Sequence, residues 1–348
     1  MGELFKFFRD PLFGVAILIA IIAFIVLATY FWNLHTRKKQ EDSLKDFSRL
    51  FESVSVDEIA RETLLKLGES LPALRFLAET YFRIGDYERS IKLYMAILEC
   101  DLESSSRLNF LYSLGEVYYY AGFLERSKKI LLEVLKNNPR NPEALSLLMR
   151  SYEALGLYDE ALDALSCLQE LGLPEKSERL NRGYLNLKKI FQQNQPQKKE
   201  IFYWLESDSR LWTFVLEKLQ ALQRDWFWEA YLTQKRSEEL LDLLWNLPKD
   251  ELLSRAEQTN NLILKDVCAA KGFMQIQNHC YIFELEVLRS LQILGGVKGD
   301  LEFSYRCEEC KGSYPLRFER CLSCGALLSG ELTYKIRKVR DENGLSFL

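Results

Sequence analysis

The stretches AGFLERSKKIL (121–131) and LGLYDEALDAL (155–165) place their glycines, Gly122 and Gly156, 34 residues apart. A third stretch, IGDYERSIKLY (84–94), puts Gly85 37 residues before Gly122, with the extra residues expected as loop near SSSR (104–107). Each glycine follows one apolar stripe of helical spacing and precedes another. The period therefore marks helix–turn–helix units. In the unit 108–141, Leu111, Leu114 and Tyr118 recur on the first helix, and Gly115 offers a close-approach point. Ser127 is the small residue expected where the two helices approach. Leu131 and Val134 fill the inner face, and Pro139 ends the unit.

The neighbouring units keep this phase. Unit 142–175 carries Leu145, Leu148, Tyr152, Ala161, Leu165 and Leu168; unit 71–104 carries Leu74, Leu77, Ala78, Tyr81, Ser90, Tyr94 and Ile97. Thirty-four residues is the period of the tetratricopeptide repeat, whose arrays curve into a superhelix with an extended face for protein ligands. Residues 41–70 read as a degenerate leading unit, with SVDE (55–58) in capping-box form. Repeat-like helices are expected over 49–300, but beyond residue 176 the register blurs. Five tryptophans fall there, Trp204, Trp212, Trp226, Trp228 and Trp245. They are read as core filling for divergent hairpins rather than as a peptide groove.

The chain has 348 residues, a formal net charge of −4, and only 17 Gly and 8 Pro. Such a length asks for more than one folded unit, and the scarcity of breakers favours helix. The acidic balance argues against a nucleic-acid binder. After a short flank (1–11), residues 12–32 read LFGVAILIAIIAFIVLATYFW, uncharged throughout. As a helix they span about 31 Å, enough to cross a bilayer. No cleavage site follows, so the segment is read as a transmembrane anchor rather than a signal peptide. Arg37, Lys38 and Lys39 in the juxtamembrane segment (33–48) outweigh Lys6 and Arg9, which places the later residues in the cytoplasm.

Near the other end, YRCEECKGSYPLRFERCLSCG (305–325) holds two CxxC pairs separated by ten residues. Cys307, Cys310, Cys321 and Cys324 are the candidate metal ligands. Two such turns joined by a short hairpin, with Tyr314, Pro315 and Leu316 in its middle, close a tetrahedral thiolate site. Zinc is expected in a structural role, with iron as the minor alternative. The module is assigned to 301–330, followed by a tail (331–348) in which KIRKVR (335–340) reads as an exposed strand edge or tail. Cys100, Cys167, Cys268 and Cys280 are read as small buried hydrophobes. His279 and Cys280 are adjacent but lack further ligands. No catalytic constellation stands out, so the chain is read as a non-enzyme.

The order of anchor, repeats and four-cysteine ribbon resembles the lipopolysaccharide assembly protein B family. The likeness is carried by SRLNFLYSLGEVYYYAGFLERSKKILLEVL (106–135) and by YRCEEC followed ten residues later by CLSC. There are departures: Lys311 stands where the family has Gly, Leu322 where it has Pro, and Phe318 is the aromatic nearest a missing tryptophan.

The resemblance implies a mostly α fold: an N-terminal transmembrane helix, a tetratricopeptide-repeat superhelix and a small rubredoxin-like β zinc ribbon at the C-terminal end. It implies an adaptor in the bacterial inner membrane, single-pass, with repeats and ribbon facing the cytoplasm. Its partners would be a membrane AAA metalloprotease and the deacetylase that commits cells to lipid A synthesis, so that it regulates lipopolysaccharide output. The alternatives are a general membrane-tethered scaffold for envelope assembly, and an iron-binding rubredoxin-type redox protein. An oligomer stays open.

Overall fold

The computed structural model describes residues 71–193, 195–233, 237–295 and 299–339. The expected anchor (12–32), its flanks and the leading unit up to residue 70 lie outside the described residues, as does the segment from 340 onward. No helix among the described residues is long and apolar enough to cross a membrane. The chain divides into two compact units at Val117 and Tyr118.

In the first unit, α1 (Leu71–Arg83) and α2 (Tyr87–Glu99) form one hairpin, followed by α3 (Ser104–Tyr120), which runs past the boundary. Gly85 turns the chain at φ +82°, where a side chain would be strained. Asp86 then caps α2 by accepting the Arg89 N–H at 3.2 Å. Ser90 is fully buried and donates to the Ala78 carbonyl at 2.9 Å, so the small residue at this position lets the helices touch. Leu74, Ala78, Tyr94 and Ile97 fill the space between them. Leu77, expected inside, is 41% exposed, because the 74–78–81 stripe turns it toward the flank. The extra loop residues lie just before SSSR, at 101–103, and SSSR itself opens α3, where Arg107 N–H bonds to the Glu103 carbonyl at 2.9 Å.

In the second unit, α4 (Leu124–Asn137) packs on α5 (Pro142–Leu155), and α5 pairs with α6 (Tyr158–Glu170). Asn141 caps α5 and Pro142 opens it, a favoured start for a helix. Ser127 and Ala161 are fully buried at the positions equivalent to Ser90, so the 34-residue phase read in the sequence is also the packing phase.

The array continues through α7 (Glu175–Gln192), α8 (Lys198–Ser207), α9 (Leu211–Leu222) and α10 (Arg224–Thr233). Next come a 3-10 turn (Ser237–Leu240), α11 (Leu241–Trp245), α12 (Lys249–Gln258), α13 (Leu262–Ala270) and α14 (Phe283–Leu294). These helices differ in length, from 18 residues in α7 to 5 in α11, which is why no fixed register survives. Trp228 and Trp245 are buried, and Trp204, Trp212 and Trp226 line the same core half-buried, as core filling requires.

A three-stranded antiparallel sheet follows, in the order β2-β1-β3. β1 (Gly299–Cys307) pairs along its whole length with β3 (Gly330–Lys338), and β2 (Ser313–Tyr314) adds two residues on its other edge. The ribbon therefore reaches residue 338. The expected boundary at 330 cut off its longest strand pairing, because β3 alternates polar residues and reads as tail. The basic residues of 335–338 lie on the outer edge of β3, where charge guards an unpaired strand.

Candidate metal centre

The two CxxC turns are built alike. Cys307 N–H bonds to the Gly312 carbonyl at 2.8 Å, and Cys321 N–H to the Ala326 carbonyl at 2.9 Å. Lys311 N–H returns to the Cys307 carbonyl, as Gly325 N–H returns to that of Cys321. Lys311 and Gly325 hold the matching left-handed position, at φ +60° and +73°. Lysine thus stands at a left-handed position that glycine would hold without strain, at a cost of about 1–2 kcal/mol.

These turns bring the four expected ligands together. The sulfurs of Cys307, Cys310, Cys321 and Cys324 all lie within 4.8 Å of one another. Cys307 and Cys324 Sγ are 3.7 Å apart, and Cys310 and Cys321 Sγ 3.5 Å. A tetrahedral ion with metal–sulfur bonds of about 2.3 Å needs sulfurs about 3.8 Å apart, so the geometry fits zinc.

The surroundings divide the four thiols: Cys321 and Cys307 are drawn toward thiolate, whereas Cys310, against the pull of the Gly312 N–H, is pushed up by the Cys321 sulfur, and Cys324, through burial and the three neighbouring sulfurs, up to about 12. Burial opposes ionisation at Cys321, but the Tyr314 hydroxyl and the N–H groups of Cys324 and Ser323 outweigh it and bring the thiol to about 6. At Cys307, burial is overcome by the Ser329 hydroxyl, 3.3 Å away, and by the N–H groups of Cys310 and Glu309. Outside the cluster, burial pushes Cys268 up to about 11 and Cys280 up to about 12, which keeps both as neutral core thiols. Cys167 departs from expectation by being exposed, and Cys100 is half-buried. His279 is a surface residue, 2.9 Å from Glu286.

The ribbon is part of the second unit's core rather than an appendage. Leu301 and Leu327 are buried in the same hydrophobic cluster as the helices, and Leu328, Leu332, Tyr334 and Ile336 pack against it. The ten-residue connector supplies the polar anchors. Arg317 clasps buried Asp242 of α11 at 2.7 and 2.8 Å, and the Tyr305 hydroxyl donates to the same carboxylate at 2.6 Å. Arg320 bonds Glu153 of α5 at 2.6 Å and Asn181 of α7 at 2.8 Å. Glu319 accepts from the Tyr184 hydroxyl at 2.6 Å and from Lys188 at 2.9 Å, with Lys218 of α9 at 3.2 Å.

Thus α5, α7, α9 and α11 all meet the ribbon. Sequence reasoning found the four cysteines and missed these anchors. One signal was available: Asp242 sits inside LLDLLW (240–245), where an acid among leucines needs a buried partner.

Residues 112–169 match the tetratricopeptide repeat family. A comparison with curated proteins gives no match. Among solved structures, MamA MSR-1 C2 aligns with a TM-score of 0.34 and 17% identity, over 48% of this chain and 94% of that one. TTC0263, a thermophilic tetratricopeptide-repeat protein of Thermus thermophilus, gives 0.31 and 16%, over 47% and 88%. A putative kinesin light chain from Podosopora anserina with nearly identical repeats gives 0.33 and 21%, over 49% and 92%. The repeat assignment rests on the family match and on the hairpins themselves. The architecture is that of a protein-interaction scaffold of the tetratricopeptide type.

Proposed function

We propose that the chain is a membrane-anchored adaptor of the bacterial inner membrane that tunes lipopolysaccharide synthesis. It would do so by presenting the committed-step lipid A deacetylase to a membrane AAA metalloprotease. The observation that carries this reading is a four-cysteine cluster, with the family's cysteine spacing, on a ribbon docked against α5, α7, α9 and α11 of a helical array that opens with tetratricopeptide hairpins. Segment 12–32 would hold the chain in the membrane, single-pass, with repeats and ribbon on the cytoplasmic side. Confinement to the membrane plane raises the effective concentration of two bound partners without any new contact.

Cys307, Cys310, Cys321 and Cys324 would hold structural zinc. The ion supplies no reaction here. It replaces the hydrophobic core that a ribbon this small cannot build. The ribbon in turn ties α5, α7, α9 and α11 together, so the client surface lies outside the face it covers.

Crosslinking in the native membrane, followed by identification of the partners, tests the adaptor role. Recovery of both the protease and the deacetylase is expected, and recovery of neither would sink it. Metal analysis of the purified protein tests the ion: zinc and a colourless solution are expected, whereas a red protein with a visible absorption band would mean iron.

A further inference from the structure

A cavity of about 360 Å³ lies between the second CxxC turn and the helices α5 and α7. Three guanidinium groups border it, and two of them are committed. Arg210 forks onto Asp208 at 3.0 and 2.7 Å, and Arg320 is held by Glu153 and Asn181. Arg150 differs. Its Nε is buried with no hydrogen-bond acceptor among the described residues. Its guanidinium is stacked over the Tyr119 ring, 5.4 Å from the centroid, and lies against Gly325, where any Cβ would stand 2.5 Å from Nη1. The group is therefore oriented by its neighbours while its Nε–H still lacks an acceptor. Nε itself is closed off from solvent, so a ligand entering the cavity would be met by the terminal Nη groups, which make no hydrogen bond or ion pair to the described residues.

We infer that this cavity binds a carboxylate carried on a protein segment, with Arg150 as the anchoring residue. A single guanidinium fork matches one carboxylate in shape and charge. Glu308 and Glu309, both exposed, border the same cavity and repel a doubly charged phosphate more strongly than a singly charged carboxylate. Met149, Leu180 and Leu327 give it an apolar wall for the side chain next to that carboxylate. A chain terminus and an Asp or Glu side chain present the same chemistry. That the carboxylate comes on a polypeptide rests on the interaction-scaffold reading.

The test uses the zinc-loaded full chain in detergent and fluorescein-labelled hexapeptides ending in leucine. One has a free terminus, one is amidated, and one is amidated with glutamate at its fifth position. Fluorescence anisotropy should show the free acid, the glutamate peptide or both binding at least tenfold more tightly than the neutral amide. Arg150→Gln should erase that difference, and Arg150→Lys should restore part of it. Equal affinity for charged and neutral peptides, no binding by any of them, or an Arg150→Gln protein that still discriminates would overturn the inference. Should Arg150→Gln lose zinc or its melting midpoint, phenylglyoxal labelling of the wild-type protein decides. Arg150 should be protected by a charged peptide, and unchanged labelling refutes the site. The adaptor role fails separately, in the membrane crosslinking.

Discussion

The two CxxC turns share a backbone and differ in what lies around them. The first, Cys307–Lys311, carries a lysine in a left-handed position that glycine would occupy without strain. The second, Cys321–Gly325, keeps its glycine and is pressed against the array, with Arg150 where a side chain would project. The connector immediately before it, Arg317–Arg320, makes the buried ion pairs. One turn thus serves chiefly the cysteine cluster, while the other serves the cluster and the docking at once. Spacing of ligands specifies both turns equally, and packing makes them unequal.

The largest effect should come from breaking what the two turns share. Cys307→Ser and Cys324→Ser should both lose zinc and unfold the ribbon. Because Leu301 and Leu327 belong to the helices' own core, the melting midpoint of the second unit should fall too, by roughly 10 °C or more. Calorimetry with metal analysis checks this, and an unchanged helical transition would make the ribbon an independent module.

Next in size is the docking alone. Asp242→Ala leaves Arg317 buried without its partner and should cost about 3–5 kcal/mol in denaturant unfolding while zinc stays bound.

Gly325→Ala and Lys311→Gly turn the asymmetry into opposite signs. The first forces a Cβ into Arg150 at a positive φ and should destabilise by about 1–2 kcal/mol. The second removes strain and should stabilise by up to about 1 kcal/mol. Denaturant midpoints of the two variants check this. If both changes had the same sign, the two turns would not differ as described.

The smallest effect is on pH dependence. Burial works against ionisation of Glu319, but the Tyr184 hydroxyl and Lys188 hold its carboxyl below its ordinary 4.5. A carboxylate depressed in the folded state stabilises fully above its unfolded pKa and loses that contribution as pH falls through the folded value. Glu319→Gln should therefore flatten part of the stability loss below about pH 4.5 and leave the slope at neutral pH unchanged.

These differences also mark how far the sequence is legible. Repeat phase is local: a glycine at each turn and a small residue shortly after it recur whatever the partner helix does, as Gly85 with Ser90, Gly122 with Ser127 and Gly156 with Ala161. The cysteine cluster is local as well, since CxxC places its sulfurs by backbone geometry alone. Docking is not local. Tyr305 meets Asp242 from 63 residues away, and Arg320 meets Glu153 from 167. Nothing in RFER (317–320) distinguishes a charged surface turn from a buried plug until the array is folded beneath it. The end of the ribbon was missed for a related reason, since β3 is polar on its exposed face and takes its place only by pairing with β1.

Hydrogen exchange on the full chain, with zinc bound and after removal by a chelator, tests the central claim most directly, because it resolves which helices depend on the ribbon. If the metal site holds the array together, chelation should accelerate exchange in the ribbon and also in α7, α9 and α11, around Tyr184, Lys218 and Asp242. Faster exchange confined to residues 299–338, with those helices as protected as before, would contradict it.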